Sequence, residues 1–459
     1  MFGWAFIAFE RWARADVGRL DWLVDCVPTW VIRRVSEAKL VRTLRHVYRQ
    51  SAAQRERWNR LGITLSDIRS PEVLPVLPLT TGAEMAKFPE NYFCVPREEL
   101  IHVLSTSGTS GLQKKVYLTQ GDLDRQLLMI GTHLCRFPGA TRVLAIFFVR
   151  EPTWSAGSIA RRGVEKAGIF GLLCGSHRTV REQIELIKEY GINLLISTPA
   201  YVHRMTVEAE EELKALGVRW IHLSGQPWTE ELRREIERAW GAKAIDVYGS
   251  TECVCGMAAE CPYQNGLHVS ELDYWVEIID PRSAELLPAG QDGEMVVTTL
   301  SRRGMPLIRY RTGDLAHLIP EKGRCECRMP LRKISRVRGR VDDMLIVGAG
   351  DNVYPDEFDR AVLSVPGVTD YQLVIEKDGY KDVLNLTVEA DRREGEMRTP
   401  LVEALLTIPT VREPYEDSRT LAIGRIEVVP RGVLSTGRPK SIRIIDKRGI
   451  SAGSQATRA

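Results

Sequence analysis

The sequence has no apolar run long enough to cross a bilayer. Its most apolar stretches, Met1 to Phe9 and Val143 to Val149, fall well short of the ~20 residues that a spanning helix needs. Its start is expected to be a poor signal peptide. No basic region precedes the first apolar run, and Glu10 and Arg11 interrupt it early. That segment is expected to form an amphipathic helix packed on the body. Charge of one sign is not in excess, since 63 Lys+Arg against 60 Asp+Glu leave a net charge of +3. Dedicated nucleic-acid binders normally carry a strongly basic face. The even balance argues against that class but allows a local basic cradle for a phosphorylated ligand. Internal repeats and long low-complexity segments are absent. The expected location is the cytoplasm, where the nine cysteines should be reduced core residues or metal ligands rather than disulfides.

What is present suits a large globular body. With 459 residues, 44% of them hydrophobic, the chain can bury a sizeable core spread over two to four domains. Residues 35–60 read as a helix rich in Arg, Gln and Ala, and Pro71, Pro75 and Pro78 punctuate a loop. Leu123, Leu127, Ile130 and Leu134 repeat at helical spacing behind a candidate N-cap at Thr119. Residues 181–190 read as a helix closed by Gly191, followed by a buried strand from Ile192 to Ser197. Leu232, Ile236 and Trp240 share a helical face between Thr229 as cap and Gly241 as stop, and Ala244 to Tyr248 reads as the next strand. Helices alternating with apolar strands predict an α/β body with mostly parallel sheets.

Past about residue 340 the character changes. Tyr371 to Ile375 and Leu384 to Val388 read as strands joined across Asp378-Gly379, with a helix at 396–407 and a strand from Ile426 to Val429. This predicts a small, mobile α+β domain at 342–459 after a large domain at 1–341. The small polar residues from Ser451 onward are expected to be a disordered tail.

The richest chemistry begins at Ser105-Thr106-Ser107-Gly108-Thr109-Ser110-Gly111, with Lys114 and Lys115 just after it. Glycines allow close backbone approach, hydroxyls supply donors, and successive backbone N–H groups make an anion-binding concavity. It is no Walker A loop, because the Gly-Lys-Ser/Thr ending is missing. Further along stand Ser224-Gly225-Gln226-Pro227, Tyr248-Gly249-Ser250-Thr251-Glu252, Arg309-Tyr-Arg-Thr-Gly-Asp314 and Gly339-Arg-Val-Asp-Asp-Met344. The last segment of this series is Ser435-Thr-Gly-Arg-Pro-Lys440.

In this order the motifs resemble those of the adenylate-forming superfamily of acyl-CoA synthetases and adenylation domains. They are most like the phenylacetate–CoA ligase branch, over about residues 40–446. The resemblance implies that the 105–115 loop holds the phosphates of ATP and that Ser224 to Pro227 lie beside the adenine, although that branch usually carries Gly-Ala-Glu-Pro there. It implies that Tyr248, at the head of Tyr248-Gly249-Ser250, stacks on the adenine, that Thr251 contacts phosphate, and that Glu252 helps hold Mg²⁺. A flat π-face suits a purine, and a hard carboxylate suits a hard cation. Asp314 is implied to accept from the ribose hydroxyls, Arg340 to sit near ribose and phosphate, and Asp342 to act as hinge. Arg336 and Arg338 read as a solvated basic face.

The family's catalytic Lys commonly follows a Gly, and strict alignment puts Arg438 at that position. Lys440 lies two residues on and faces the same side of an extended segment. Lys440 is the preferred catalytic residue and Arg438 the alternative.

Cys261, His268, Cys325 and Cys327 supply a Cys₃His set for tetrahedral zinc. Some members of the branch resemble this pattern and hold zinc there. Four protein ligands leave no open position, so the zinc would be structural. Cys253 and Cys255 compete as ligands but abut the expected acyl pocket, near Phe147, Phe148, Trp154 and the stretch to Met257.

The implied activity is ATP-dependent activation of an aryl or arylacetic acid to an acyl-adenylate, followed by transfer to coenzyme A. The expected partners are the acid and coenzyme A, with an acyl-carrier protein and a second copy of this chain as further candidates. Nucleic acid and membrane are not expected. Transfer to a carrier protein or an amine is the first alternative, and a degenerate nucleotide-binding homologue the second. A phosphotransferase using the Ser/Gly loop is the third.

Overall fold

The helix expected behind Thr119 shows how the chain builds its layers. It runs Gln120–Leu134, and the Thr119 hydroxyl accepts from the Asp122 N–H while Asp122 accepts from the Thr119 N–H. This reciprocal cap satisfies donors that a helix start leaves orphaned. Leu123, Leu127 and Leu134 are buried, so one face is spent on the core. The computed structural model describes residues 27–105, 114–147, 156–175, 178–321, 325–341, 345–347, 351–417, 419–434 and 443–448. Among them no helix is long and apolar enough to cross a membrane. The expected N-terminal amphipathic helix and C-terminal tail lie outside the described residues.

The chain divides into two units. In the first, the opening elements are α1 (Thr29–Gln50), α2 (Ala52–Asn59), α3 (Gly82–Lys87), β1 (His102–Ser105), β2 (Lys115–Leu118) and α4 (Gln120–Leu134). Next come β3 (Arg142–Phe147), α5 (Ala156–Lys166), β4 (Phe170–Gly175), α6 (Val180–Tyr190), β5 (Leu194–Ser197) and α7 (Pro199–Leu213). Then follow β6 (Trp220–Ser224), α8 (Glu230–Trp240), β7 (Lys243–Tyr248), β8 (Ala258–Glu260) and β9 (Leu267–Val269). The series closes with β10 (Tyr274–Ile279), β11 (Gly293–Thr299), β12 (Tyr310–Ala316) and β13 (Lys333–Ile334).

The large sheet has the order β13-β9-β8-β7-β6-β5-β3-β4. Strands β4, β3, β5, β6 and β7 are mutually parallel, and β8, β9 and β13 extend them antiparallel. The mostly parallel sheet is therefore as expected. Its central strands carry fully buried Leu144, Leu195, Ile221 and Ile245, the apolar run that a sheet covered on both faces requires.

The long helix expected at 35–60 is broken. Ser51 is extended (φ −94, ψ 110), and its hydroxyl accepts from the Gln54 N–H, ending α1 and capping α2. The segment around Pro71 and Pro75 forms a 3-10 turn, Pro71–Val76, rather than an irregular loop. Proline's fixed φ suits the first turn of a helix.

The second unit comprises Arg338 onward, together with Gln226–Arg234, which takes in the first residues of α8, and Gly313–Leu315 within β12. Its elements are β14 (Gly339–Arg340), β15 (Leu345–Val347), β16 (Asp351–Val353), α9 (Pro355–Leu363), β17 (Val368–Asp378) and β18 (Lys381–Ala390). They are followed by α10 (Glu394–Leu406), α11 (Pro409–Glu416), β19 (Leu421–Val429) and β20 (Ile444–Asp446). A sheet β19-β18-β17-β20 packs around buried Phe358, Tyr371, Leu386 and Leu405. The expected hairpin is present with longer strands. Its turn is Gly379-Tyr380, because Asp378 already pairs with Lys381.

Candidate functional site

Parallel strands end at one edge of a sheet, and the loops leaving that edge carry ligands. Here Ser224 of β6 pairs with Val247 of β7, so the loops that follow emerge side by side. Gly225 takes φ +87, a conformation that glycine adopts without penalty.

Beyond Tyr248 the chain folds into a tight turn. The N–H groups of Cys253 and Cys255 donate to the Ser250 carbonyl at 3.1 and 3.0 Å, and the Met257 N–H donates to the Tyr248 carbonyl at 3.0 Å. Val254 and Cys255 lie at φ 52 and 71, where a β-branched residue is a marked outlier. Position 249 must be glycine, since a Cβ there would meet the Cys255 carbonyl carbon at 2.6 Å.

Three neighbours hold this turn. The Tyr274 hydroxyl donates to the Cys253 carbonyl at 2.7 Å, Gln126 Nε2 donates to the Gly256 carbonyl at 3.0 Å, and Arg302 Nη2 donates to the Glu252 carbonyl at 2.6 Å. The turn carries Glu252 into a buried position, only 3% exposed. There the Tyr310 hydroxyl donates to Glu252 Oε1 at 2.7 Å, Lys114 Nζ forms an ion pair with the same oxygen, and Lys114 Nζ lies 3.2 Å from the Tyr310 hydroxyl. Burial alone would raise the Glu252 carboxyl. The Lys114 charge and the two hydrogen bonds outweigh it and hold the group below the usual carboxylate range. Glu252 is thus a carboxylate that already carries a cation. That donor set fits a hard metal ion such as Mg²⁺.

Tyr248 is half-buried against the Cys253–Met257 cluster, and Ser250 and Thr251 are half-buried beside it. In the second unit, Asp314 pairs with Arg340 across β12 and β14, and Arg340 Nε lies 3.5 Å from Asp314 Oδ1. Gly313, at φ +76, leaves the space, since a Cβ there would be 3.0 Å from Arg340 Nη2. Arg336 and Arg338 are not a solvated face. Arg336 Nε donates to Asp246 at 2.9 Å, and Arg338 lies 3.8 Å from Glu357 and over the Tyr354 ring. Both are partly buried, so their charges are paired rather than hydrated.

Thr106, Ser107, Gly108, Thr109, Ser110, Gly111, Asp342, Arg438 and Lys440 lie outside the described residues, as do Phe148, Trp154 and the side chain of Phe147. Ser105 ends β1, where it pairs with Lys115. Sequence reasoning quoted Tyr310 without assigning it a role and did not single out Arg302. Tyr310 stood in the quoted Arg309-to-Asp314 motif, four residues before Asp314. Arg302 had no motif to mark it, and only tertiary structure brings it to the Glu252 backbone.

The Cys/His set does converge. Hairpin β8–β9 brings Cys261 near His268, and β13 pairs with β9 just after Cys325 and Cys327. All four ligand atoms lie within 4.8 Å of one another. Cys261 and Cys325 sulfurs are 3.8 Å apart, and Cys327 Sγ is 3.3 Å from His268 Nε2. Zinc–sulfur arms of about 2.3 Å give a tetrahedron edge of about 3.8 Å. His268 Nδ1 is 3.4 Å from the Leu331 carbonyl, so Nε2 faces the cluster. A hydrogen bond from Cys327 favours the Cys261 thiolate, and the same bond raises the Cys327 thiol. Cys253 and Cys255, the rival ligands, are not part of this converging set.

Comparison with known proteins places this geometry. Residues 31–301 match the AMP-binding enzyme family, and residues 350–448 match the AMP-binding enzyme C-terminal domain. The chain is 29% identical over 441 residues to a phenylacetate-coenzyme A ligase of Pseudomonas putida, covering 93% of this chain and 97% of that one. It is 30% identical over 373 residues to a phenylacetate-coenzyme A ligase of Thermus thermophilus, covering 80% and 83%. A crystal structure of 2-hydroxyisobutyryl-CoA ligase in the postadenylation state shares the fold, with TM-score 0.78, 21% identity and coverage of 93% and 92%. A large α/β unit followed by a smaller C-terminal unit, with these matches spanning most of the chain, makes it a member of the AMP-binding enzyme family.

Proposed function

We propose that this chain activates a carboxylic acid with ATP and passes the acyl group to coenzyme A. The observation that carries the reading is the buried Glu252 carboxylate, held by Tyr310 and paired with Lys114 at the end of β7, in a member of an AMP-binding family.

A carboxylate oxygen of the substrate attacks the α-phosphorus of ATP. The bond from that phosphorus to the bridging oxygen breaks, and pyrophosphate leaves. Bound Mg²⁺ supplies charge neutralisation at the phosphates, and Glu252 is the residue that would hold it. Lys114, with the 105–111 loop, holds the phosphates. Tyr248, Ser224, Gly225, Gln226 and Pro227 bracket the adenine, with Asp314 and Arg340 on the ribose. Lys440, or Arg438 in its place, neutralises charge developing at the α-phosphate. The thiol of coenzyme A then loses its proton and attacks the acyl carbon, and AMP departs with the carbon–oxygen electron pair. Rotation of the small domain about Asp342, at a boundary between 341 and 342, presents a different face for each half-reaction.

The acid is aryl or arylacetic, a reading supported by the phenylacetate-coenzyme A ligases that align over nearly the whole chain. Cys261, His268, Cys325 and Cys327 hold a structural zinc. Their near-tetrahedral spacing supports this, and with all four positions filled by protein the ion takes no part in the chemistry.

Pyrophosphate release from ATP and Mg²⁺ across aryl, arylacetic and fatty acids, with and without coenzyme A, tests the reading. Release that needs one aryl-type acid and accelerates with coenzyme A is expected. Acid-dependent release indifferent to coenzyme A would reassign the acceptor, and release with no acid dependence would overturn the activity.

A further inference from the structure

Lys114 and Glu252 are both assigned to the loaded site, one to phosphate and one to metal. In this structure they are paired with each other. The Glu252 side chain is 4% exposed and that of Lys114 is 19% exposed. A carboxylate this buried needs a cation beside it, because stripping its water without compensation is strongly unfavourable. Lys114 supplies that cation at Oε1, the oxygen that Tyr310 also engages.

The surroundings leave the three groups little freedom. Thr80 and Arg311 join the segment before α3 to β12, through Thr80 N–H to the Arg309 carbonyl and Arg311 N–H to the Thr80 carbonyl. This lays Gly82 against the pair. A Cβ at Gly82 would sit 3.1 Å from Lys114 Cδ and 3.3 Å from the Tyr310 hydroxyl. The cleft is shaped to the lysine stem and the tyrosine tip.

We propose that Lys114 occupies, in the nucleotide-free enzyme, the cation position on Glu252 that a divalent metal takes on loading, with Tyr310 as the positioning residue that keeps the carboxylate oriented through the exchange. An ammonium and a divalent cation on one oxygen repel each other, so one must leave as the other arrives. The triphosphate provides the destination, since its oxygens accept the Lys114 ammonium as the metal settles on Glu252. Metal alone therefore finds its ligand blocked, and metal with nucleotide does not. No covalent bond changes in this step.

The inference rests on Glu252 being the metal ligand, and the test separates the two. Zinc-replete full-length enzyme is titrated with Mn²⁺, and free Mn²⁺ is read by electron paramagnetic resonance, without and with ATP. In the absence of ATP, Lys114→Met should bind Mn²⁺ at least about tenfold tighter than wild type, and adding Glu252→Gln should abolish the gain. Lys114→Gln, which keeps an uncharged donor one bond shorter than the lysine, should fall between them and serves if the Met variant does not fold. Tyr310→Phe should weaken Mn²⁺ binding in the ATP complex with an unchanged circular dichroism spectrum. If Lys114→Met or Lys114→Gln binds Mn²⁺ no tighter than wild type, although Glu252→Gln weakens Mn²⁺ in the ATP complex, the exchange is wrong and the ligand assignment stands. If Glu252→Gln leaves that complex unaffected, the ligand assignment fails and the exchange falls with it.

Discussion

Gly249→Ala perturbs the site through one methyl group. Its Cβ would lie 2.6 Å from the Cys255 carbonyl carbon, 2.7 Å from the Cys255 oxygen and 2.7 Å from the Gly256 nitrogen. The obstacle is backbone, so no side chain can swing aside. Reaching ordinary contact at 3.4 Å requires the two limbs of the turn to part by roughly 0.8 Å. The turn has little slack, with Val254 and Cys255 already at positive φ and three hydrogen bonds fastening it from outside. Overpacking of this kind costs about 1–3 kcal/mol of stability. A shift near 1 Å at a group that positions the reaction costs about a hundredfold in rate. Gly256→Ala in the same turn is the control, because its nearest neighbours would be side-chain atoms at ordinary contact, the flexible end of Met129 at 3.4 Å, Gln126 Nε2 at 3.9 Å and Ile130 Cγ1 at 4.0 Å. Denaturant midpoints and acid-dependent pyrophosphate release are measured for both variants. Gly249→Ala should lose both stability and rate, while Gly256→Ala stays near wild type. Equal rates for the two variants would refute the argument that this backbone contact places Glu252.

Three further outcomes are expected. Cys327→Ala, or chelation, should remove one zinc per chain and lower stability by more than about 2 kcal/mol. Protein that remains folded should still release pyrophosphate, as metal analysis paired with calorimetry would establish. The buried pair Arg309–Glu277, 3.2 Å apart, gives a pH signature. Burial raises the Glu277 carboxyl, and Arg309 only partly opposes it. A raised folded-state value favours folding below the unfolded value of 4.5, and the benefit is lost as pH rises through the folded value. Arg309→Met should therefore cost about 3–5 kcal/mol at neutral pH and less at pH near 4, read as denaturant midpoints at the two pH values. Replacing Lys440 and Arg438 in turn should slow adenylate formation for whichever fills the catalytic position. Full activity in both variants would remove both assignments.

Elements whose signals are local were legible in the sequence. Thr119 before a run of leucines at helical spacing, and Gly191 after a helical run, marked a helix start and a helix end, and both stand. The break at Ser51 was not legible, because the helical composition continues across it and only the Ser51 cap on Gln54 divides the helices. The four zinc-type ligands were recoverable from residue types, although their spacing matches no standard finger. Antiparallel strand pairing brings them together over more than sixty residues of sequence. Tyr310 and Arg302 illustrate the opposite case. Each acts on Glu252 from a separate strand or loop, and nothing in their own neighbourhoods announces it. The reading of Arg336 and Arg338 as a solvated basic face fails because individual carboxylates answer individual guanidiniums.

The most direct test of the central claim is exchange of labelled pyrophosphate into ATP in the absence of coenzyme A. Formation of an acyl-adenylate requires that exchange to depend on an aryl or arylacetic acid and to collapse in Glu252→Gln. Exchange that proceeds without any acid, or survives loss of the Glu252 carboxylate at the wild-type rate, would contradict the account.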